Sequence, residues 1–146
     1  RHGDGVALLC LDLDRFKAVN DTFGHLVGDE LLRQVATRLR AALRGDDMLA
    51  RLGGDEFAVV SRLVAGPDQA LRTAQRLVAA IEQPFDTMGQ ELLIGVSIGI
   101  AYARADESDT ERLHHDADAA LYAAKAAGRN TVRVYGADDA RMGVGL

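Results

Sequence analysis

The sequence contains a single cysteine and no long apolar run, and each shortage excludes a class of protein. With Cys10 alone among 146 residues there is no disulfide framework, and its apolar neighbours predict a buried thiol rather than a reactive one. No apolar run approaches the roughly 20 residues that span a bilayer, and no stretch resembles a signal peptide. We therefore expect a cytoplasmic domain in a reducing compartment that makes no membrane contact itself. Any membrane tether would come from segments outside this chain.

Positive charge is also in short supply. The chain has 17 lysines and arginines against 22 aspartates and glutamates, for a net charge of -5. A nonspecific nucleic-acid binder needs a basic surface to neutralise phosphates, so we expect no nucleic acid as a partner. A nucleotide is still possible, because it needs only a local basic or metal-lined pocket.

The length and composition predict one ordinary globular domain. Apolar residues make up 48% of the chain and charged residues 27%, and 146 residues are enough for one core but too few for two. The sequence contains no internal repeat. It starts without a methionine and enters an apolar run at once, so we expect a piece of a longer protein.

The apolar pattern predicts mixed strands and helices. The run Gly5–Asp12 predicts a central buried strand that ends at its acid, and residues 12–21 are polar enough to predict a loop with a short helix. Apolar residues at every fourth position then predict a helix over about 27–43. The later patterns predict strands over 48–52, 56–61, 91–103 and 131–135, a helix from the turn at 66–68 to Pro84, and a helix that starts near 106–110 and ends at Gly128. This order predicts an α+β sandwich with a mostly antiparallel sheet covered by helices.

The stretch Leu49–Val60 predicts a hairpin with chemistry at its tip. Gly53 and Gly54 allow positive φ and close approach of a ligand, and the acids Asp55 and Glu56 follow directly. If this hairpin lies beside the first strand, the carboxylates of Asp12 and Asp55 converge into a site suited to Mg²⁺. The alternative, that both are ordinary acids in turns, stays open at this point.

A second polar stretch, residues 16–29, allows two interpretations. Asn20 and Asp29 could bind guanine, since a carboxylate can accept from both ring N1–H and the exocyclic amine. Alternatively, Asn20 and Asp21 are helix caps, Asp29 is a first-turn acid favoured by the helix dipole, and His25 is structural.

The cationic residues are equally ambiguous on spacing alone. Lys125 and Arg129, at the end of a predicted helix, either favour its dipole or clamp the oxygens of a triphosphate. Arg44 and Asp47 would ordinarily be a weak surface ion pair, and Arg76 would be solvated.

Five motifs resolve these alternatives by resemblance, because the sequence resembles the GGDEF family of diguanylate cyclase domains over nearly its whole length. They are Asp12-x-Asp14-x-Phe16-Lys17-x-x-Asn20-Asp21-x-x-Gly24-His25-x-x-Gly28-Asp29, Arg51-x-Gly53-Gly54-Asp55-Glu56-Phe57, Ser97-Ile98-Gly99-Ile100, Ala117-Asp118-x-Ala120-Leu121-Tyr122-x-Ala124-Lys125 and Gly128-Arg129-Asn130.

The resemblance implies a nucleotidyl-cyclase sandwich, similar to a polymerase palm, that joins two GTP molecules into cyclic di-GMP as a homodimer. It implies Mg²⁺, with Mn²⁺ as an alternative, bound by Asp12, the Leu13 carbonyl and Asp55. Asp55 would also act in catalysis, with Glu56 adding charge beside the metal. The implied substrate-binding residues are Asn20 and Asp29 at guanine, His25 nearby, the backbone around Phe16 and Lys17 at phosphates, Gly53 and Gly54 beneath the triphosphate, and Lys125 and Arg129 at its outer oxygens.

The resemblance also implies a product-inhibition site and a missing segment. Arg44 and Asp47 match the family's RxxD motif, and Arg76 lies where a second arginine commonly contributes. We place the domain at residues 1–136, without the N-terminal helix and D-x-L-T segment that the family usually has, and a tail or linker at 137–146. The residues of these motifs also resemble those of GGDEF domains that are fused to an EAL phosphodiesterase domain. The alternative function is therefore a noncatalytic module that binds GTP or cyclic di-GMP and regulates the fused phosphodiesterase.

Overall fold

A five-stranded sheet forms the centre of the structure, a computed structural model that describes residues 5–104, 106 and 109–136. In chain order the elements are β1 (Gly5–Asp14), α1 (Phe16–Phe23), α2 (His25–Ala42), β2 (Met48–Gly53), β3 (Glu56–Leu63), α3 (Asp68–Glu82), β4 (Phe85–Thr87), β5 (Gln90–Leu92), β6 (Gly95–Arg104), α4 (Thr110–Ala126) and β7 (Val132–Val134). The strand order is β2-β3-β1-β6-β7, and the pairing is antiparallel except between β6 and β7. The predicted α+β architecture with a mostly antiparallel sheet is confirmed.

Strand β1 separates two apolar layers because successive side chains point to opposite faces of the sheet. Its odd-numbered residues, among them Leu9 and Leu11, belong to the large core that includes buried residues of α1, α2 and α3. Leu8 and Cys10 belong to a smaller cluster with Ala117 and Leu121 of α4. The sheet is therefore covered on both faces, by three helices on one side and by α4 on the other.

The helices follow their apolar periodicity. Leu31, Val35 and Leu39 are buried along α2, which starts two residues earlier than predicted and ends one residue earlier. Helix α3 follows the Gly66-Pro67 turn and ends before Pro84, as predicted. At the end of α4, Gly128 has a φ of 114° and its N–H donates to the Lys125 carbonyl at 3.2 Å, so the predicted C-terminal glycine is confirmed.

The prediction that the first strand ends at Asp12 is wrong. Strand β1 continues to Asp14, paired with β6 through the register Asp14↔Gly95. Leu13 is buried in the core, and the carboxylate of Asp14 accepts a hydrogen bond from Ser97 Oγ at 2.9 Å. The polar character of this stretch was misleading because the carboxylate of Asp14 is satisfied by Ser97, a residue 83 positions away in the sequence.

The single strand predicted over 91–103 is also wrong, because the region forms two strands. Residues Gln90–Leu92 pair with Phe85–Thr87 in a separate two-stranded sheet, and β6 begins only at Gly95. The turn of this small hairpin uses Met88 and Gly89, both at positive φ. Phe85 is fully buried and anchors the hairpin to the core.

Two predicted regions fall wholly or partly outside the described residues. The loop at 106–110 is described only at residues 106, 109 and 110, and the tail at 137–146 is not described. Among the residues that are described, no helix combines the length and the apolar character needed to cross a membrane.

Candidate active site

Two carboxyl groups, from Asp12 and Asp55, meet at one end of the sheet. The register of β1 and β3 pairs Asp12 with Glu56, which places the preceding residue, Asp55, beside β1. The N–H of Leu13 donates to the backbone carbonyl of Asp55 at 3.1 Å and holds the hairpin turn there. The predicted convergence of the two acids is confirmed, although Asp12 lies within its strand rather than at the end.

The surroundings of this pair disfavour two bare negative charges. Burial raises the pKa of the Asp55 carboxyl, and the neighbouring Asp12 raises it further through its charge and a hydrogen bond. One oxygen of Asp12, Oδ2, pairs with the ammonium group of Lys125 on α4. The other, Oδ1, is buried and has no hydrogen-bond partner within the described part of the chain. An unpartnered buried carboxylate oxygen beside a second carboxyl group is a donor set that fits a hard divalent cation.

The hairpin turn leaves open space in front of the acids. Gly53 and Gly54 have φ values of 145° and 51°, and a methyl group on either would meet no atom within 4 Å. Arg51 holds the turn, since its Nε and Nη2 donate to the Gly54 carbonyl at 3.0 and 2.8 Å. Glu56 opens β3 and is exposed. The turn can therefore admit a ligand without moving side chains aside.

A second turn, between β1 and α1, presents the first N–H groups of a helix. Arg15 adopts the left-handed conformation, with a φ of 70°, and α1 begins at Phe16. The first N–H groups of a helix have no intrahelical acceptor and favour anions. The Phe16 side chain is buried in the core, and Lys17 pairs with Asp21 at 2.9 Å on the surface. The predicted phosphate contacts here thus depend on the backbone.

A cleft of ≈ 500 Å³ joins this turn to the loop after α4, and its lining includes Arg15 and Arg129. The loop is held by Asn130, whose backbone N–H donates to Asp14 Oδ2 at 2.9 Å. Arg129 has a φ of 67°, and its N–H donates to the Ala124 carbonyl at 3.1 Å. Arg129, a predicted phosphate-binding residue, therefore lines the same cleft as Arg15, the residue that precedes α1.

The structure excludes the capping alternative for Asn20 and the first-turn alternative for Asp29. Asn20 lies inside α1, whose N-cap is Arg15, and α2 has no acid in its first turn. Asn20 Oδ1 is buried without a partner in the described chain and packs against Gly28 so closely that a methyl group there would overlap it. Asp29 and His25 are exposed one turn apart on α2. Asn20 therefore carries a buried acceptor with no partner in the described residues.

Lys125 does more than favour the end of α4, because it forms the ion pair with Asp12 described above. This places its ammonium group at the acid pair, where it can also meet an anionic ligand.

The predicted inhibitory residues lie together, away from the acid pair, at the end of α2. Asp47 Oδ2 accepts from the backbone N–H of Arg44 at 2.9 Å, so the expected Arg44–Asp47 ion pair is instead a turn contact. The Arg44 guanidinium lies 3.9 Å from Asp46. Arg76 of α3 donates to the Ala42 carbonyl at 2.9 Å, two residues before Arg44. Both arginines are thus on one surface.

Comparison with known protein families identifies this arrangement. The family model described as diguanylate cyclase, GGDEF domain, matches residues 1–131. The chain belongs to the GGDEF family. This confirms the family membership that the sequence motifs indicated.

Relatives of this GGDEF domain agree in sequence and in fold. The bifunctional diguanylate cyclase/cyclic di-GMP phosphodiesterase MucR of Pseudomonas aeruginosa is 48% identical over 124 residues, which are 85% of this chain and 18% of MucR. The crystal structure of the GGDEF domain of TpbB (YfiN) from Pseudomonas aeruginosa has a TM-score of 0.86 and 39% identity, covering 92% of this chain and 84% of that one. The GGDEF domain of DgcB from Caulobacter crescentus, in complex with cyclic di-GMP, has a TM-score of 0.81 and 33% identity, covering 90% and 78% of the two chains. The chain spans 33% of the full length of TpbB and less of MucR.

Sequence reasoning assigned no role to three residues that shape the site of this GGDEF domain. Arg51 holds the hairpin turn, and Ser97 and Asn130 hold the acid at the end of β1. Each lies inside a motif quoted above, so the signal was present. The motifs do not indicate which residues these side chains contact, because Ser97 and Asp14, for example, are 83 residues apart in sequence.

Proposed function

We propose that this domain is a diguanylate cyclase that condenses two GTP molecules into cyclic di-GMP and releases two pyrophosphates. The observation that carries the proposal is the convergence of Asp12 and Asp55, with an unpartnered carboxylate oxygen, in a chain that belongs to the diguanylate cyclase family. Membership in the family supports cyclic di-GMP synthesis in general. The roles of individual residues below are our proposals.

The acid pair is proposed to bind the metal and accept a proton. Asp12, the Leu13 carbonyl and Asp55 offer only oxygen ligands, which suit Mg²⁺ or Mn²⁺. When bound, the cation would polarise the α-phosphate and acidify the attacking 3′-hydroxyl. The hydroxyl oxygen forms a bond to the α-phosphorus of the second GTP, the bond to the β-phosphate breaks, and Asp55 takes the proton. Glu56, one residue away, would add negative charge beside the metal.

The triphosphate is proposed to lie between the two turns. The helical N–H groups at Phe16 and Lys17 face inner phosphates, and Gly53 and Gly54 leave space for the chain of phosphates to pass. With a cation held by Asp12 and Asp55, Lys125 would be available to phosphate oxygens in place of Asp12, and Arg129 would contribute a bidentate fork.

Guanine is proposed to bind where α1 meets α2. Asn20 Oδ1 is a buried acceptor without a partner in the described residues, so a guanine N–H would satisfy it. Asp29 can accept from N1–H and the exocyclic amine, a pattern that adenine does not present, and His25 lies one turn before it.

One domain offers one such site, while the product contains two nucleotides. Two copies must therefore meet face to face with two-fold symmetry, each presenting one GTP to the other. We propose a cytoplasmic homodimer as the catalytic form, controlled by whatever brings two copies together.

The rate per protomer tests this proposal directly. With GTP and Mg²⁺, the 146-residue chain should form cyclic di-GMP at a rate per protomer that rises with protein concentration, because dimerisation precedes chemistry. Chromatography of the products at several concentrations measures it, with ATP as the control substrate. A rate per protomer that does not change over a range in which the chain passes from monomer to dimer would contradict the dimer, and equal use of ATP would contradict the guanine site.

Product inhibition is proposed at Arg44, Asp47 and Arg76, where two guanidinium groups share a surface. Arginine forks can bind guanine edges and phosphates together. Arg44→Ala should weaken cyclic di-GMP binding at least about 30-fold, the usual cost of removing one partner of a desolvated charge pair. Calorimetry with cyclic di-GMP measures this.

The matched control for that prediction is Arg40→Ala, which removes an exposed arginine from the last turn of α2, four residues before Arg44. Its affinity for cyclic di-GMP should equal that of the wild type. If both variants lose affinity equally, the loss comes from the lower positive charge of the chain and not from a binding site at Arg44.

The second candidate function is a noncatalytic module that regulates a fused phosphodiesterase. It is favoured by the similarity to MucR, whose name includes both activities and of which this chain spans 18%. Calorimetric binding of GTP or cyclic di-GMP without turnover, in the same preparation, would support this function over the first.

A further inference from the structure

Three side chains of different chemistry converge on the face of the sheet that α4 covers. The sulfur of Cys10, one ring nitrogen of His114 and one carboxylate oxygen of Asp118 all lie within 4.8 Å of one another. Cys10 is buried in β1, opposite Ala58 on one side and Gly99 on the other. His114 and Asp118 are exposed one turn apart on α4, with Nδ1 and Oδ2 separated by 3.8 Å. Strand and helix thus contribute to one cluster.

The chemistry of this cluster matches a borderline-soft cation. Zn²⁺ binds thiolate sulfur at about 2.3 Å and imidazole nitrogen or carboxylate oxygen at about 2.0–2.2 Å, so the ligand atoms around it lie roughly 3.3–3.8 Å apart. Side-chain shifts of about 1 Å bring the three atoms to that spacing. We propose that Cys10, His114 and Asp118 form a site for a divalent cation of the Zn²⁺ class, with its fourth position open to water.

This site differs from the acid pair in its ligands. Asp12 and Asp55 offer oxygen alone, which suits Mg²⁺, whereas the cluster offers sulfur, nitrogen and oxygen, which select Zn²⁺ or a similar transition metal. Cys10 precedes Asp12 by two residues on the same face of β1, so the two sites lie about 7 Å apart along the strand. A cation in the cluster would join β1 to α4, the helix whose Lys125 pairs with Asp12.

The affinity for the cation depends on its path from solvent and on the proton that it must displace from Cys10. The two exposed ligands give the cation a path from solvent. Thiolate is the form of cysteine that binds metal, so the cation must displace the thiol proton of Cys10.

Zinc titration of the 146-residue chain against a chromophoric chelator tests the site. One Zn²⁺ should bind per chain in the presence of Mg²⁺, and His114→Gln should weaken binding at least about 100-fold. His114 is exposed, so its substitution should leave the fold intact. The matched control is His115→Gln, which replaces the adjacent, exposed histidine outside the cluster and should leave zinc affinity unchanged.

Cobalt(II) provides an independent readout of the sulfur ligand. The wild-type chain with Co²⁺ should show near-ultraviolet thiolate-to-metal charge-transfer absorption, and Cys10→Ala should lose it. Asp55→Asn should keep it. The proposal is overturned if the wild type binds no Zn²⁺, if His114→Gln and His115→Gln bind it equally, or if the cobalt absorption survives in Cys10→Ala. Loss of zinc binding in Asp55→Asn would instead place the ion at the acid pair and overturn the proposal as well.

Discussion

Replacing Asp55 by Asn is expected to lower the rate of cyclic di-GMP formation at least about 1000-fold. The proposed base and one metal carboxylate are lost together, and proton transfer alone typically contributes about 10²–10⁴-fold. Asn keeps the size of the side chain, and the backbone carbonyl that accepts from Leu13 is unchanged. The turn should therefore stay in place while its chemistry is removed. Initial rates with saturating GTP and Mg²⁺ measure the effect.

The control is Asp86→Asn, which removes an exposed acid from the separate two-stranded sheet and should retain wild-type rates. A rate within a few-fold of wild type for Asp55→Asn would contradict the assignment of Asp55.

Asp55→Asn should also raise the free energy of unfolding of the metal-free chain at neutral pH. Burial and the charge of Asp12 raise the pKa of the folded Asp55 carboxyl above its unfolded value, so its ionisation opposes folding. That penalty is absent below the unfolded pKa and develops as pH rises through the folded pKa. Asn never ionises, so the stability gained should appear near pH 7 and vanish in acid. Urea unfolding at both pH values, in a chelator, provides the measurement.

Gly99→Ala is expected to destabilise the fold by about 3 kcal/mol, a large share of a typical total of about 5–15 kcal/mol. Gly99 lies on β6 beneath α4, and a methyl group there would overlap the Leu121 nitrogen and the Ala117 carbonyl oxygen. Both are helix backbone atoms, so relief requires α4 to move off the sheet. The absence of a side chain at Gly99 is therefore what allows α4 to approach the sheet this closely. Urea denaturation with an unchanged m-value measures the loss.

Gly45→Ala makes the same chemical change at a site with space around it. No atom lies within 4 Å of the added methyl group, and Gly45 is not at positive φ. Its stability should match the wild type within about 0.5 kcal/mol. Equal losses in the two variants would show that glycine flexibility, not the approach of α4, sets the effect.

Local pattern predicted most of the fold because most elements bury a regular apolar face. The stripe through Leu31, Val35 and Leu39 predicted α2, and the Gly-Gly turn predicted the β2–β3 hairpin. The predicted strand boundaries were wrong where contacts between residues far apart in sequence determine the structure. Asp14 stays in β1 because Ser97 and Asn130 satisfy its carboxylate, and no local rule indicates those partners.

The candidate site could be predicted residue by residue only through the family motifs. Spacing alone left Asp12 and Asp55 as a metal pair or as turn acids, and the β1–β3 register is what brings them together. It also left Lys125 as a cation favouring the helix dipole, although its partner proved to be Asp12. The cluster at Cys10 was not predicted, because His114 and Asp118 become its neighbours only when α4 packs on β1.

Turnover by a chain that is already dimeric tests the central claim most directly. A parallel coiled coil fused to the N-terminus removes dimerisation as a variable, and both products can be quantified with GTP and Mg²⁺. We expect cyclic di-GMP, with two pyrophosphates released for each molecule formed. Binding of GTP by the fused dimer with neither product would contradict it and would favour the regulatory module.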